Sequence, residues 1–253
     1  SSYFLEETGK TLTAGMKVAF YVDVTFHEVY GISLNVSDID PAYTLGESAR
    51  RKAQVIKKLE EDGVIDMNKL LSIKPLLKNI AVVSAEGAAG YGDFVHQLTN
   101  NKYGYHYNIT LFNSLMQGEK AEESILLSLD KVLERLPEFD VLVVIRGGGA
   151  TSDLDCFDGY NISASIAQFP LPVLTGIGHT RDVSVVDMVA NMPLKTPTAV
   201  AEFIIGHTRS LEEKIDSYIE QLSRSVTMLL DKQTRKLDQC LTLLPLYANR
   251  LLD

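Results

Sequence analysis

From Asp140 to Asp158 the chain reads DVLVVIRGGGATSDLDCFD. The aliphatic, mostly β-branched run 141–145 offers no polar position to water. Such a strand must be covered on both faces, which is the situation of a central strand in a parallel sheet packed between helices. Ligands of such sheets sit beyond the carboxyl ends of the strands. At that end this strand presents Arg146, a forked cation, then Gly147, Gly148 and Gly149, which can bring backbone N–H groups close to an anion, and then several carboxylates. The pattern reads as the floor of a phosphate site. A plain Gly-rich turn from strand to helix is the alternative reading of the glycines.

The flanking sequence supplies the rest of the sheet. Strand-like runs at 80–84, 106–112, 141–145 and 172–175 alternate with helical patterns near 94–101, 119–136, 162–168 and 182–190. Four such units predict an α/β fold, a three-layer doubly wound and mainly parallel sheet, over 79–198. Ile125, Leu126, Leu129, Val132, Leu133 and Leu136 give one helix an apolar face to lay on it. Upstream, 12–40 alternate apolar and polar positions around Tyr30-Gly31, as in a β-hairpin or the remnant of a small β-domain. Asp40-Pro41 ends that pattern, and 46–62 reads as a helix rich in Arg and Lys that stops at Gly63, within a linker over 41–78. Downstream, 199–253 is helical, with Leu211, Ile215, Tyr218, Leu222 and Leu229 at heptad-like spacing. A helix over 199–244 would run on the order of 65 to 70 Å, longer than the α/β domain is wide, so part of it is expected to find a partner. Folding back on its own domain is the alternative.

The 253 residues carry a net charge of -9, which argues against a generally adhesive nucleic-acid coat but leaves room for a local basic groove. Cys156 and Cys240 have neither disulfide nor zinc-ligand spacing, and no apolar run approaches the ~20 residues of a membrane span. A reducing cytoplasm is the expected compartment. The missing initiator Met is read as the mark of a piece cut from a longer chain.

Polar residues collect at three strand ends. EGAAGYGDF follows the first strand and places Asp93 at an expected helix start; TGIGHTRDVSVVD follows the fourth and places His179 and Asp182 three apart. If a helix follows Gly178 at once, those two side chains lie within reach as an acid/base and its orienter. Phosphodiester hydrolysis needs a cation for charge on the nonbridging oxygens, a group to activate water and a proton donor for the leaving oxygen. Arg146, His179 and the carboxylates could divide those tasks. Taken singly, Asp93 reads as a helix N-cap and His179 as a structural histidine. Asp93, Asp153, Asp155, Asp182 and Asp187 could hold Mg²⁺ through oxygen, while helix capping explains some of them.

IAVVSAEGAAGYGDF, LFNSLMQGEKA, DVLVVIRGGGATSDLDCFD, TGIGHTRDVSVVD and TPTAVAEF, in this order, resemble the large subunit of exonuclease VII. The resemblance runs from about Val18 to the chain end. It implies hydrolysis of single-stranded DNA from either end into short oligonucleotides, by a coiled-coil hetero-oligomer with a small helical subunit held through the C-terminal helix. It also implies that 1–40 are the end of an OB-fold and that 199–253 begin a coiled coil. The family's catalytic residues fall on Asp93, Arg146, His179 and Asp182, with Asp187, Thr196, Pro197 and Glu202 matching as well. The family commonly works without added divalent metal, so no obligatory cofactor is expected, with Mg²⁺ the one candidate. Departures are Ser152 where Glu is common, Asp155 where Trp is common, Pro193 where Arg often stands, and one extra residue before Asp93. The rival readings are a phosphofructokinase-like or lipid-kinase-like phosphotransferase, which the strand-GGG-Asp arrangement suggests although no Walker lysine or GxGxxG supports it, and a non-catalytic scaffold holding single-stranded DNA on the basic helix.

Overall fold

The computed structural model describes residues 18–27, 31–147, 151–178 and 183–250, with the backbone alone at 41, 42, 44, 45, 151–154 and 242–250. The first two strands, β1 (Ala19–His27) and β2 (Gly31–Asp40), pair antiparallel with a bulge between Tyr21 and Val22. Gly31 takes φ +77° where the chain re-enters the ladder. Phe20, Val22, Val24 and Phe26 face Ile39, Val36, Leu34 and Ile32 across the ladder, and most of this apolar surface is exposed, Phe26 to 73%. Helix α1 (Pro41–Glu61) begins five residues earlier than the sequence pattern suggests, because Pro41 fits a first helical position, where its missing N–H costs nothing. It ends where Gly63 turns to φ +69°.

Five parallel strands follow, β3 (Asn79–Ser84), β4 (Asn108–Asn113), β5 (Val141–Ile145), β6 (Val173–Gly176) and β7 (Met192–Pro193). Their order is β4-β3-β5-β6-β7. The intervening helices are α2 (Ala89–Thr99), α3 (Ala121–Glu134), α4 (Tyr160–Ala167) and α5 (Val185–Val189), and α6 (Pro197–Arg250) closes the chain. The four anticipated strands are present. The fifth, β7, is two residues long and too short to leave an alternation in the sequence. A 3-10 segment, Thr151–Asp158, occupies the stretch after the glycines and buries Phe157 completely.

Strand pleating sorts the core into two layers. Leu142 and Val144 join Ala81, Val83, Ile125, Leu129, Ile162 and Val185 on one side. Val141, Val143 and Ile145 join Ile80, Val82, Phe94, Leu98, Val200 and Ile204 on the other. Both faces of β5 are therefore buried, as an all-aliphatic strand requires. The first turns of α6 thus belong to the α/β unit, which extends to Ile205, while Gly206 onward forms a second compact unit. In that unit Ile215, Tyr218, Leu222 and Leu229 are 48% to 67% exposed, an apolar stripe along the helix.

Candidate active site

Three strand ends and one helix start meet at the carboxyl edge of the sheet. Arg146 directly follows β5, is 5% exposed, and its backbone N–H donates to the carbonyl of Gly176 at the end of β6. A guanidinium at that depth needs acceptors or an anion and cannot serve as a solvated surface charge. The crevice between β3 and β5 is the topological switch point of this sheet, since α2 leads outward from β3 to β4 while β5 leads the other way to β6. Open α/β sheets bind their ligands at that place.

Backbone approach there is close enough to dictate glycine. A Cβ on Gly147 would fall 2.7 Å from Cβ of Ala88, and one on Gly90 would fall 2.8 Å from the Arg146 carbonyl oxygen and 2.9 Å from Cγ of Pro197. One on Gly176 would fall 2.8 Å from Cγ2 of Val200 and 3.1 Å from the Thr196 carbonyl oxygen. Gly147 thus has a packing reason to be glycine besides the anion-binding one; Gly148 and Gly149 lie outside the described residues. Ala88 takes the N-cap position of α2 and offers no side-chain acceptor, although its carbonyl accepts from the Tyr91 and Gly92 N–H groups at 3.0 and 3.1 Å.

Asp93 is not the helix start expected from the sequence. The helix begins at Ala89, which puts Asp93 in its second turn, exposed, one turn beyond Gly90. The sequence GAAGYGD hid this because three glycines in seven residues read as loop, whereas Gly90 and Gly92 are helical. Gln97, one further turn along the same flank, donates to Glu202 of α6 at 3.2 Å. Asp93 therefore stands on the side of α2 that looks toward the start of α6. Thr196 caps that start: its Oγ1 accepts from the Ala199 N–H at 3.1 Å, with Pro197 in the first helical position.

His179 and Asp182 lie outside the described residues, but both ends of their segment are described. On one side Gly178 takes φ +82° with the Lys195 carbonyl close by. On the other, the expected helix start at 182 moves to Val185 because Ser184 is the N-cap of a capping box. Ser184 Oγ accepts from the Asp187 N–H at 3.1 Å, and Asp187 Oδ2 accepts from the Ser184 N–H and hydroxyl. Asp187 Oδ1 accepts from the Thr175 hydroxyl at 2.5 Å, which ties α5 to β6. Both oxygens of Asp187 are thus engaged in holding the chain.

Two residues absent from the sequence reading complete this edge. Asp158 Oδ1 accepts from the Val185 N–H at 2.8 Å and pairs with Lys52 of α1, which also donates to the Val183 carbonyl. Burial pushes the Asp158 carboxyl above the usual carboxylate range and nearby Asp155 adds to this, against the opposing Val185 N–H and Lys52. No spacing signals such a long-range tie. Beside it, Arg51, Lys52, Lys58, Asp155 and Tyr160 line a cavity of about 420 Å³. Only the backbone of Asp153 is described. Among the described residues no group of three or more His, Cys, Asp or Glu is placed to hold a metal ion.

The family model described as exonuclease VII, large subunit, matches residues 64–253. The chain belongs to the exonuclease VII large-subunit family. It is similar to the exodeoxyribonuclease 7 large subunits of Deinococcus radiodurans, 36% identical over 200 residues covering 78% of this chain and 48% of the relative, and of Nostoc sp., 35% identical over 210 residues covering 83% and 49%. That of Clostridium tetani is 27% identical over 236 residues, covering 93% and 57%. The chain therefore spans about half the length of these large subunits. Within the family match lie Arg146, Asp93 and the capping residues Asp187 and Thr196 just described. No helix among the described residues is long and apolar enough to cross a membrane.

Proposed function

We propose that this chain carries the nuclease core of an exodeoxyribonuclease that hydrolyses the phosphodiester bonds of single-stranded DNA, from either end, to short oligonucleotides. The observation that carries the reading is the buried Arg146 at the switch point of the sheet, beside the first turn of α2, whose N-cap Ala88 has no side-chain acceptor. A phosphate seated there meets a fixed guanidinium and helix N–H groups together, in surroundings where neither has to reorganise as charge grows on the nonbridging oxygens. Arg146 and the amides of Gly147, Gly148 and Gly149 take the scissile phosphate. His179 serves as general acid or base with Asp182 orienting its ring, and Asp93 positions or activates the attacking water. Water adds to phosphorus, the P–O bond to the leaving nucleotide breaks, and His179 manages the proton.

No metal is obligatory in this reading, and Mg²⁺ is the one to test. Asp187, with both oxygens occupied by Ser184 and Thr175, fits a structural role better than that of a ligand. The exposed stripe of Ile215, Tyr218, Leu222 and Leu229 takes the exonuclease VII small subunit in a hetero-oligomer, and the β1-β2 hairpin is the tail of an OB-fold. The compartment is the cytoplasm. The family match disfavours a phosphotransferase and a non-catalytic scaffold. The test is cleavage of single-stranded DNA by the full-length large subunit with its small subunit, wild type against His179→Ala. Turnover should fall by roughly a hundredfold or more, in the range of general acid/base catalysis; near-normal turnover would sink the assignment.

A further inference from the structure

At the opposite, amino-terminal edge of the same sheet, the loop between α2 and β4 reads NNKYGYHYN. Tyr103 and Tyr105 stack on one another there, with ring centroids 5.4 Å apart and planes 20° from parallel, and Tyr103 is 41% exposed. Lys102 Nζ lies 5.0 Å from the Tyr103 centroid. The loop is held rigid from within. Asn101 Nδ2 donates to the carbonyls of Leu98 and Tyr105 at 2.8 and 2.7 Å, and its Oδ1 accepts the N–H groups of Tyr103 and Tyr105 at 3.2 and 3.0 Å. Gly104 turns the chain between the two rings at φ +72°. One side chain thus fixes both tyrosines before any ligand arrives, so little ordering entropy remains to be lost on binding.

Charge points to an anionic partner. In a chain of net charge -9, residues 94–118 contain no Asp or Glu, yet they include Lys102, His96 and His106. Exposed Lys78 enters β3 alongside this loop, its carbonyl accepting from the Asn108 N–H at the start of β4. The carbonyls at the end of α2 would oppose an anion, but that of His96 already accepts from the Asn100 N–H, the Asn100 amide and the Thr99 hydroxyl. At the same edge the Asp140 carboxylate is already engaged by Lys74 and by the N–H groups of Lys78 and Asn79. A planar aromatic surface with a lysine over one ring and another cation near by fits the base and phosphate of a single-stranded nucleic acid.

We propose that Tyr103, Tyr105 and Lys102 form a stacking platform for a nucleobase of the single-stranded DNA substrate, remote from the bond being cut. This rests on the nuclease reading above. β4 is the edge strand, and its six residues separate the platform from the carboxyl edge by roughly 20 Å at 3.3 Å per residue. At 3.4 Å per stacked nucleotide that is about six nucleotides, so only a longer strand reaches both places.

The experiment uses the complete large and small subunit complex, with oligothymidines of about twenty and about four nucleotides. Tyr103→Ala should raise KM for the longer substrate by roughly fivefold or more while leaving kcat and the shorter substrate unchanged, the lower end of what losing one base stack costs. Tyr103→Phe should restore the wild-type KM. A single 5-iododeoxyuridine placed about six nucleotides from the cleaved end should photo-cross-link to Tyr103 or Tyr105. An unmoved KM in Tyr103→Ala, an equal loss on the shorter oligomer, or cross-links confined to other segments would overturn the platform. A wild-type complex that leaves both oligomers intact would overturn the nuclease reading instead.

Discussion

Adding one methyl group at Gly147 should damage the protein more than its size suggests. The new Cβ would stand 2.7 Å from Cβ of Ala88, with Ala88 Cα and the Ala89 nitrogen at 3.3 and 3.4 Å behind it. Carbon atoms rest at about 3.5 to 4.0 Å, so the end of β5 and the turn into α2 must separate by on the order of 1 Å. Neither can retreat into a flexible side chain, because the obstacle is an alanine on a helix end and its backbone. Overpacking of this kind costs about 1 to 3 kcal/mol, which lowers the melting temperature by roughly 2 to 12 °C in a unit of this size. The same displacement moves Arg146 relative to the α2 amides, and 1 Å of misplacement can cost a hundredfold in rate. Gly92→Ala is the control: nothing lies within 4 Å of its Cβ and it is helical, so that change should stabilise by about 0.5 to 1 kcal/mol. Gly90→Ala, two residues earlier in the same helix, should destabilise, because the Arg146 carbonyl blocks it at 2.8 Å. Calorimetry of the three variants, with Ala88→Gly added to Gly147→Ala to relieve the contact, measures the coupling directly. A Gly147→Ala protein that melts and cleaves like wild type would refute the close convergence of β3 and β5.

Other outcomes follow from the ties around the site. Asp187→Ala should cost about 1 to 3 kcal/mol in urea unfolding, since it removes the capping box and strands the fully buried Thr175 hydroxyl without an acceptor. Thr196→Ala should cost about 1 kcal/mol and Thr196→Ser much less, as for a helix cap; a rate loss shared by Thr196→Ser would instead assign it to chemistry. Burial alone would raise the carboxyl of Asp140, but Lys74 and the N–H groups of Asn79 and Lys78 outweigh it and hold the group below the usual carboxylate range. A lowered pKa contributes stability that is present above the unfolded value of about 3.9 and is lost as pH falls through the folded value. Stability of wild type minus Asp140→Asn, followed by denaturant titration from pH 7 down, should therefore shrink below about pH 4.

The parts of this fold legible in the sequence are those governed by local burial. The run 141–145 announced a strand covered on both faces and became β5 with the same boundaries, because every residue in it is buried. The periodic leucines and isoleucines of α3 announced their helix for the same reason. What escaped was set by partners far along the chain. Asp93 was expected to cap a helix, but Gly90 and Gly92 are inside α2, the first because Arg146 and Pro197 crowd it, a contact that no window of sequence contains. Asp158 and Lys52, 106 positions apart, meet only because α1 packs beside the 3-10 segment, and the start of α5 depends on that tie and on Ser184. Arg146 was recognisable as a strand-end cation, whereas its depth was not, since burial there depends on β6 and on the start of α6.

The central claim is that Arg146 holds the scissile phosphate. It is tested most directly by cleavage of end-labelled single- and double-stranded DNA by the complete complex, wild type against Arg146→Lys, with EDTA or Mg²⁺. Wild type should shorten single strands from either end and spare duplex. Arg146→Lys keeps the charge but loses the rigid fork, and should still bind single strands while turning over roughly a hundredfold more slowly in either buffer. Near-normal cleavage by Arg146→Lys would contradict the claim.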